Sequence, residues 1–198
     1  MTAALLLSGG MDSIAIAYWK RPRYGITIDY GQRPAEGEIR AARAVCQALD
    51  IEHVVIDADI SALGSGDLAG LPPAEDAPAS EWWPYRNQFL LTVAAMKCLS
   101  LRTAELMIGA LSTDGFHADG TADFIGRMNE LFSLQEGDLE VTAPAIELTA
   151  VELVQKSQAP HSVLAWSHSC HVAPHACGNC RGCHKHFETM QACFSHAH

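Results

Sequence analysis

With 198 residues, 48% of them apolar and 18% charged, the chain can bury the core of one ordinary domain, which excludes an intrinsically disordered segment. Thirteen Lys and Arg against 23 Asp and Glu give a net charge of −10, which argues against a broad footprint on DNA or RNA. No apolar run approaches a membrane span and the N-terminus does not read as a signal peptide, so a cytoplasmic chain with no membrane partner is expected. In that compartment the seven cysteines are thiols or metal ligands rather than disulfides.

Residues 3–7 read as a buried strand that stops at Ser8-Gly9-Gly10-Met11-Asp12-Ser13, after which Ile14, Ala15, Ala17 and Tyr18 recur at helical intervals. Glycines without Cβ let backbone N–H groups converge on an anion. The first turn of the following helix adds unpaired donors and the positive end of its dipole. The Ser8 and Ser13 hydroxyls can donate to phosphate oxygens, whereas Asp12 has the wrong charge for phosphate and suits Mg²⁺ or the orienting of the loop. A plain tight turn is the alternative; the order of strand, Ser-Gly-Gly-x-Asp-Ser and helix favours a nucleotide phosphate.

Residues 24–29 form a second expected strand ending at Asp29, followed by a turn at Gly31. A helix over 38–49 carries Ile39, Ala42, Val45, Cys46 and Leu49, and a third strand covers 52–57. This alternation predicts an α/β fold, a parallel twisted sheet with helices on both faces. Ligands bind such sheets beyond the carboxyl ends of the strands, where Ser8, Asp29 and Gln32 would emerge. Glycines and prolines make 61–81 a long loop, either a lid or a surface connection, with Trp82 and Trp83 packing beneath it.

Asn87 is the expected N-cap of the next helix, with Phe89, Leu90, Val93, Ala94 and Met96 on its buried face. Arg86, just outside, is placed to hold a triphosphate or carboxylate, or else forms a surface ion pair. A fourth strand over 105–109 leads into a loop containing Asp114, Phe116 and Asp119. Phe116 could stack on a purine-like ring and the two acids could accept from its N–H groups; turn and cap roles are equally open. After a short strand and Pro144, Thr149 with Glu152 marks a capped helix.

Cys170, Cys177, Cys180 and Cys183, spaced seven, three and three apart, can surround one tetrahedral Zn²⁺. An iron–sulfur cluster and a redox Cys-x-x-Cys are the rivals. His171, His175, His184 and His186 are spare donors for which a four-thiolate site has no room, and Cys46 and Cys98 belong to helix faces in the core. The histidines of the tail after Cys183, which ends Ser195-His-Ala-His, read as solvated helix residues, with a weak metal site or pH-dependent charge as alternatives.

The 8–13 stretch resembles the pyrophosphate-binding loop of the ATP pyrophosphatases, which cleave ATP between its α and β phosphates. Asp29-Tyr-Gly-Gln-Arg33 is similar to the Asp-Tyr-Gly-Gln-Arg-His of the 7-cyano-7-deazaguanine synthases, with Pro34 in place of the histidine. Tyr85-Arg86-Asn87-x-x-Phe-Leu looks like their Gly-Arg-Asn-x-x-Phe-Leu, and the 112–124 loop matches in part. The segment around Thr149 matches with Ala150 in place of a lysine, which removes one source of positive charge. The cysteine pattern is similar to their zinc knot.

This resemblance spans residues 3 to about 187 and implies an adenine nucleotide alpha hydrolase-like fold, an ATP-binding domain over 1–165 and a zinc-binding segment over 166–198 packed on it. It implies ATP contacts from Leu7, Ser8, Gly9, Gly10, Asp12, Ser13, Asp29, Gln32, Arg86 and Asn87, with Asp12, Ser13 and Arg86 catalytic. Asp114, Phe116 and Asp119 would bind substrate, and the four cysteines would hold Zn²⁺. The implied enzyme is an ATP-dependent C–N ligase that uses Mg²⁺ and ATP to convert 7-carboxy-7-deazaguanine and ammonia to 7-cyano-7-deazaguanine on the way to queuosine, as a homodimer. Two alternatives stand beside it. One is a ligase of a defence or modification system that joins the activated deazapurine to an amine of a protein partner or nucleic acid; the other is a non-catalytic nucleotide-binding scaffold.

Overall fold

The computed structural model describes residues 2–195, apart from the Phe116 side chain. The histidines expected beyond Ser195 lie outside the described residues. Five strands, β1 (Ala3–Leu6), β2 (Tyr24–Asp29), β3 (Glu52–Asp57), β4 (Glu105–Met107) and β5 (Glu140–Thr142), form one sheet in the order β3-β2-β1-β4-β5. All four pairings are parallel, as the strand and helix alternation predicts.

The central strand explains why both faces are covered. Leu5 and Leu7 point to one side, where they pack with α1 (Met11–Lys20), α2 (Ala35–Leu49) and α6 (Ala150–Ser157). Ala4 and Leu6 point to the other, towards α4 (Arg86–Leu101) and α5 (Ala122–Ser133). With side chains alternating along a strand, a run of apolar residues buries on both faces, the signature of a sheet sandwiched between helices. Cys46 and Cys98 are buried on α2 and α4. Among the described residues, no helix is long and apolar enough to cross a membrane.

Several boundaries differ from the sequence reading. The first strand stops at Leu6 and β4 at Met107, each short of the expected end. Helix α2 begins at Ala35 because Pro34 occupies its N-cap position at φ −79°, a torsion the pyrrolidine ring favours. The 61–81 stretch is not featureless: a 3-10 turn (Ser61–Leu63) and a one-turn helix, α3 (Gly66–Ala69), fold it against the sheet. Leu68 is buried, as is Trp83, whose ring meets Tyr30 edge-on at 5.0 Å.

Asn87 is not the cap of α4. Tyr85 holds the N-cap position with left-handed φ of 55°, a conformation that glycine tolerates better, at the point where the resembling family carries glycine. The buried stripe of α4 is Leu91, Ala94 and Cys98, with Phe89, Leu90 and Val93 partly buried beside it. Met96 is 66% exposed, because two residues at 100° each carry it roughly to the far side of the helix from Ala94. By contrast, α6 starts as expected. Thr149 Oγ1 accepts from the Glu152 N–H at 3.3 Å and the Glu152 carboxylate accepts from the Thr149 N–H at 2.8 Å, a reciprocal capping box.

Beyond α6, α7 (His161–Leu164) leads into the cysteine segment and then α8 (Arg181–Phe194), which packs on α6.

Candidate active site and metal centre

Strand order reverses at β1, which has β2 on one side and β4 on the other, so the loops after β1 and β4 part and leave a crevice. A cleft of about 340 Å³ opens there. Its apolar wall is Leu6, Ile26, Ile28, Leu68, Leu90 and Ile108. Its polar wall carries Ser8, Gly10, Asp12 and Ser13 at one point, and Glu38, Glu81, Arg86, Asn87, Asp114, Arg181 and Lys185 elsewhere.

The 8–13 turn is held from several directions. Gly9 adopts φ +75°, and a Cβ there would strike the Glu38 carbonyl, so this position excludes any other residue. The Gly9 carbonyl accepts from the His168 N–H at 2.8 Å, which ties the loop to the chain just before the cysteines. The Ser13 hydroxyl is buried and donates to the Gly10 carbonyl at 2.9 Å, while Ser8, exposed, donates to Ser13 Oγ at 3.2 Å and lines the cleft. Gly10 precedes α1 as its N-cap without a side-chain cap, so the first N–H groups of that helix are directed at the cleft mouth. Leu7 is buried, and its main chain is committed to the sheet: its N–H donates to the Ile26 carbonyl at 2.8 Å and its carbonyl accepts from Thr27 Oγ1 at 2.6 Å.

Asp12, in the first turn of α1, accepts from Lys185 Nζ at 2.9 Å. Asp114 Oδ1 lies 3.9 Å from the same ammonium. Burial works against that charge, but the two carboxylates outweigh it and hold the Lys185 pKa above its ordinary value. The sequence reading had left the site short of a lysine; the ammonium comes instead from α8, across the whole length of the chain. Its only sequence signal is a position two residues past Cys183, the last of the four clustered cysteines.

Asp29 and Gln32 are not among the side chains lining the cleft. Asp29 accepts from the Gly31 N–H at 3.1 Å, as a turn residue does. Gln32 is buried and braces the turn, accepting from the Tyr30 N–H at 2.8 Å and donating to Glu38 Oε2 at 2.7 Å. Glu38, unassigned from sequence, does line the cleft, and burial pushes its carboxyl up to about 7 against the Gln32 hydrogen bond and nearby Arg86. Arg86 is the first residue of α4 rather than outside it, and its charge lies close to the buried Tyr30 side chain, whose pKa burial raises.

Asn87 and Asp119 find each other. The Asn87 N–H donates to Asp119 Oδ2 at 3.2 Å and Asn87 Nδ2 donates to the Asp119 carbonyl at 2.9 Å. Asp119 therefore supplies the cap that Tyr85 cannot give α4, from 32 residues downstream. Asp114 also works locally, accepting from the Leu111 N–H at 3.0 Å, but keeps a place on the cleft wall. The Phe116 side chain lies outside what is described. Another acid missed from sequence, Glu81, is 10% exposed, accepts from Arg181 Nη1 at 2.6 Å and lies 3.6 Å from His117 Nε2. Burial raises its pKa, but its own N–H, Arg181, His171 and His117 together bring it below the ordinary value.

The cysteine segment folds back on this site. Cys170, Cys177, Cys180 and Cys183 bring four Sγ atoms within 4.8 Å of one another, the one such group of metal-ligating side chains among the described residues. The Cys170–Cys180 and Cys177–Cys183 edges are both 3.9 Å. A tetrahedral ion with metal–sulfur bonds of about 2.3 Å requires sulfurs roughly 3.8 Å apart, which these two edges match, so the donor set suits one metal ion. Backbone N–H groups of His171 and Asn179 donate to Cys180 and Cys177, each at 3.4 Å, and the Asn179 contact brings the Cys177 thiol down to about 6. His171, His175, His184 and His186 are not part of the group.

A family profile described as "Queuosine biosynthesis protein QueC" matches residues 2–193. A 7-cyano-7-deazaguanine synthase of Methanosarcina barkeri is 32% identical over 210 aligned positions, covering 92% of this chain and 90% of that protein. One from Chlorobium chlorochromatii is 32% identical over 202 positions, covering 92% and 88%. Among solved structures, the U34-tRNA thiolase NcsA of Methanococcus maripaludis, with its 4Fe-4S cluster, superposes with a TM-score of 0.55 at 16% identity. It aligns with 97% of this chain, which spans 64% of the thiolase, a likeness of fold alone.

Proposed function

Since the chain belongs to the QueC family, we propose that it is a 7-cyano-7-deazaguanine synthase that activates 7-carboxy-7-deazaguanine with ATP in the cleft between β1 and β4. The observation that carries this reading is the 8–13 turn, a glycine-built donor cradle at the switch point of a parallel sheet. The apolar wall accommodates a flat heterocycle, and the turn with the start of α1 receives the phosphates.

A carboxylate oxygen of the substrate attacks the α-phosphorus, the bond to the bridging oxygen breaks, and pyrophosphate departs with the electron pair. Ammonia then attacks the acyl carbon and AMP leaves, giving the amide. In a second activation the amide oxygen attacks the α-phosphorus of another ATP, pyrophosphate again departs, and loss of AMP with the two nitrogen-bound protons gives the nitrile. Here the loop amides, Ser8 and Arg86 stabilise charge on the phosphates, and Asp12 would hold Mg²⁺, which supplies charge neutralisation to the leaving group once Lys185 has turned from Asp12 to the phosphates. No cleft side chain is needed as a nucleophile. We assign Zn²⁺ to the four cysteines, where it would act structurally, since all four positions are taken by thiolates and none is open to substrate.

Incubation of the protein with ATP, Mg²⁺ and 7-carboxy-7-deazaguanine, with and without ammonia, tests the reading. Nitrile formed only with ammonia supports it. Release of AMP without nitrile, accompanied by added mass on a protein or nucleic acid, points to the ligase of a modification system, and no cleavage of ATP under any condition points to a scaffold.

A further inference from the structure

We propose that Lys185 is a phosphate-binding cation of the active site, carried into the cleft by the helix that follows the cysteine cluster, where it stabilises the pyrophosphate that leaves during adenylation. The proposal rests on the adenylating reading above and adds to it a residue from outside the phosphate loop.

The loop itself contains no cation and one acid, Asp12. Among the described residues lining the cleft, the Lys and Arg side chains are Arg86, Arg181 and Lys185. Arg86 lies beside Tyr30 and Arg181 is seated on Glu81. Lys185 reaches the first turn of α1, at 2.9 Å from Asp12. Left to themselves, Asp12 and Asp114 would present two negative charges where a polyanion has to bind; the ammonium between them lowers that repulsion.

The placement is built rather than incidental. Arg181 and Lys185 are one turn apart on α8 and share the face that meets the cleft. Gly182 lies between them and is buried; a Cβ there would strike the Ser169 carbonyl, so α8 is pressed against the chain that leads into the cysteine cluster. A fixed helix thus carries a long, flexible stem. The Lys185 side chain is 43% exposed, which leaves its ammonium room to turn from Asp12 to a phosphate oxygen. In the reaction the lysine keeps its proton and donates it in a hydrogen bond to the bridging or β-phosphate oxygens as the bond from the α-phosphorus breaks.

The test compares wild type with Lys185→Met and Lys185→Arg. Three readouts are used: binding of α,β-methylene ATP by calorimetry, pyrophosphate release with ATP and 7-carboxy-7-deazaguanine, and melting temperature with metal content. For Lys185→Met the expectation is about tenfold weaker binding and about 100-fold slower pyrophosphate release at saturating ATP, as for loss of one charged donor. Metal content and melting temperature should stay at wild-type values, and Lys185→Arg should recover most of the affinity. Binding and release within about threefold of wild type in Lys185→Met would overturn the proposal, as would losses that track a fall in metal content and melting temperature. Because the analogue binds without any acceptor, a wild-type protein that binds it but releases no pyrophosphate would sink the deazapurine reaction while the affinity comparison still decides the role of Lys185.

Discussion

The glycine-turn end of the cleft, which we propose receives the phosphates, comes from six consecutive residues, 8–13, whereas the wall carrying Glu81, Arg86, Asp114, His117 and Arg181 is assembled from three separate stretches of chain. At the first, local conformation suffices. At the second, charges come together from the start of α4 and the loop before it, the loop after β4, and α8, and each depends on the position of another element. The contrast teaches where the molecule is vulnerable: the loop fails when its own residues change, while the composite wall fails when a distant support is removed.

The most severe break should come at the cysteine segment, which orients α8 and with it Arg181 and Lys185. Cys180→Ser should lose the metal and much of the folding energy it supplies, which for structural zinc is on the order of 10 kcal/mol in small peptides. Elemental analysis and melting curves check this; stable protein with no metal in the wild type, or iron in its place, would remove the zinc assignment. Next comes the loop itself. Asp12→Ala should reduce ATP cleavage at least about 1,000-fold, some 4 kcal/mol of barrier, with near-normal melting, read as pyrophosphate release; full activity in this variant would falsify its role at the phosphates.

A smaller effect belongs to Glu38, beneath Gly9 and beside Arg86. Its carboxyl is raised to about 7 in the folded protein, so between its unfolded pKa near 4.5 and pH 7 the folded state binds more protons than the unfolded one. Stability from this group is therefore present at low pH and falls as pH rises through 7. Glu38→Gln should match the wild type near pH 4 and exceed it by on the order of 3 kcal/mol at pH 8, seen as diverging melting temperatures. Parallel curves at both pH values would remove the buried carboxyl from the account.

The mildest change sharpens the comparison at the composite wall. Asp119→Ala takes away the cap on the Asn87 N–H and should cost about 1 kcal/mol of stability, a shift of a few degrees in melting temperature. If melting is unchanged while KM for the deazapurine carboxylate rises, Asp119 reads substrate rather than capping α4.

The difference between the two ends also explains which parts could be read from the amino acids. The strand, glycine turn and helix at 3–20 are encoded within a few residues, and the four cysteines announce their common purpose through spacing alone. The Thr149 and Glu152 capping box is likewise local. Gln32 follows a strand, and its amide braces Glu38 and the Tyr30 turn; that contact depends on a neighbouring helix that no local pattern specifies. Glu81 offered no signal in a glycine- and proline-rich stretch, because its partner Arg181 is 100 residues away.

By itself the sequence determined the parallel α/β architecture, the glycine turn after the first strand and the thiolate set, since strand periodicity, glycine torsions and ligand spacing are short-range properties of the chain. Only the tertiary structure decided which charges face one another: that Lys185 meets Asp12, Arg181 meets Glu81, and Asp119 turns to α4. Electrostatic interactions fall off over a few ångströms of space, and distance along the chain carries no information about them until the helices have packed.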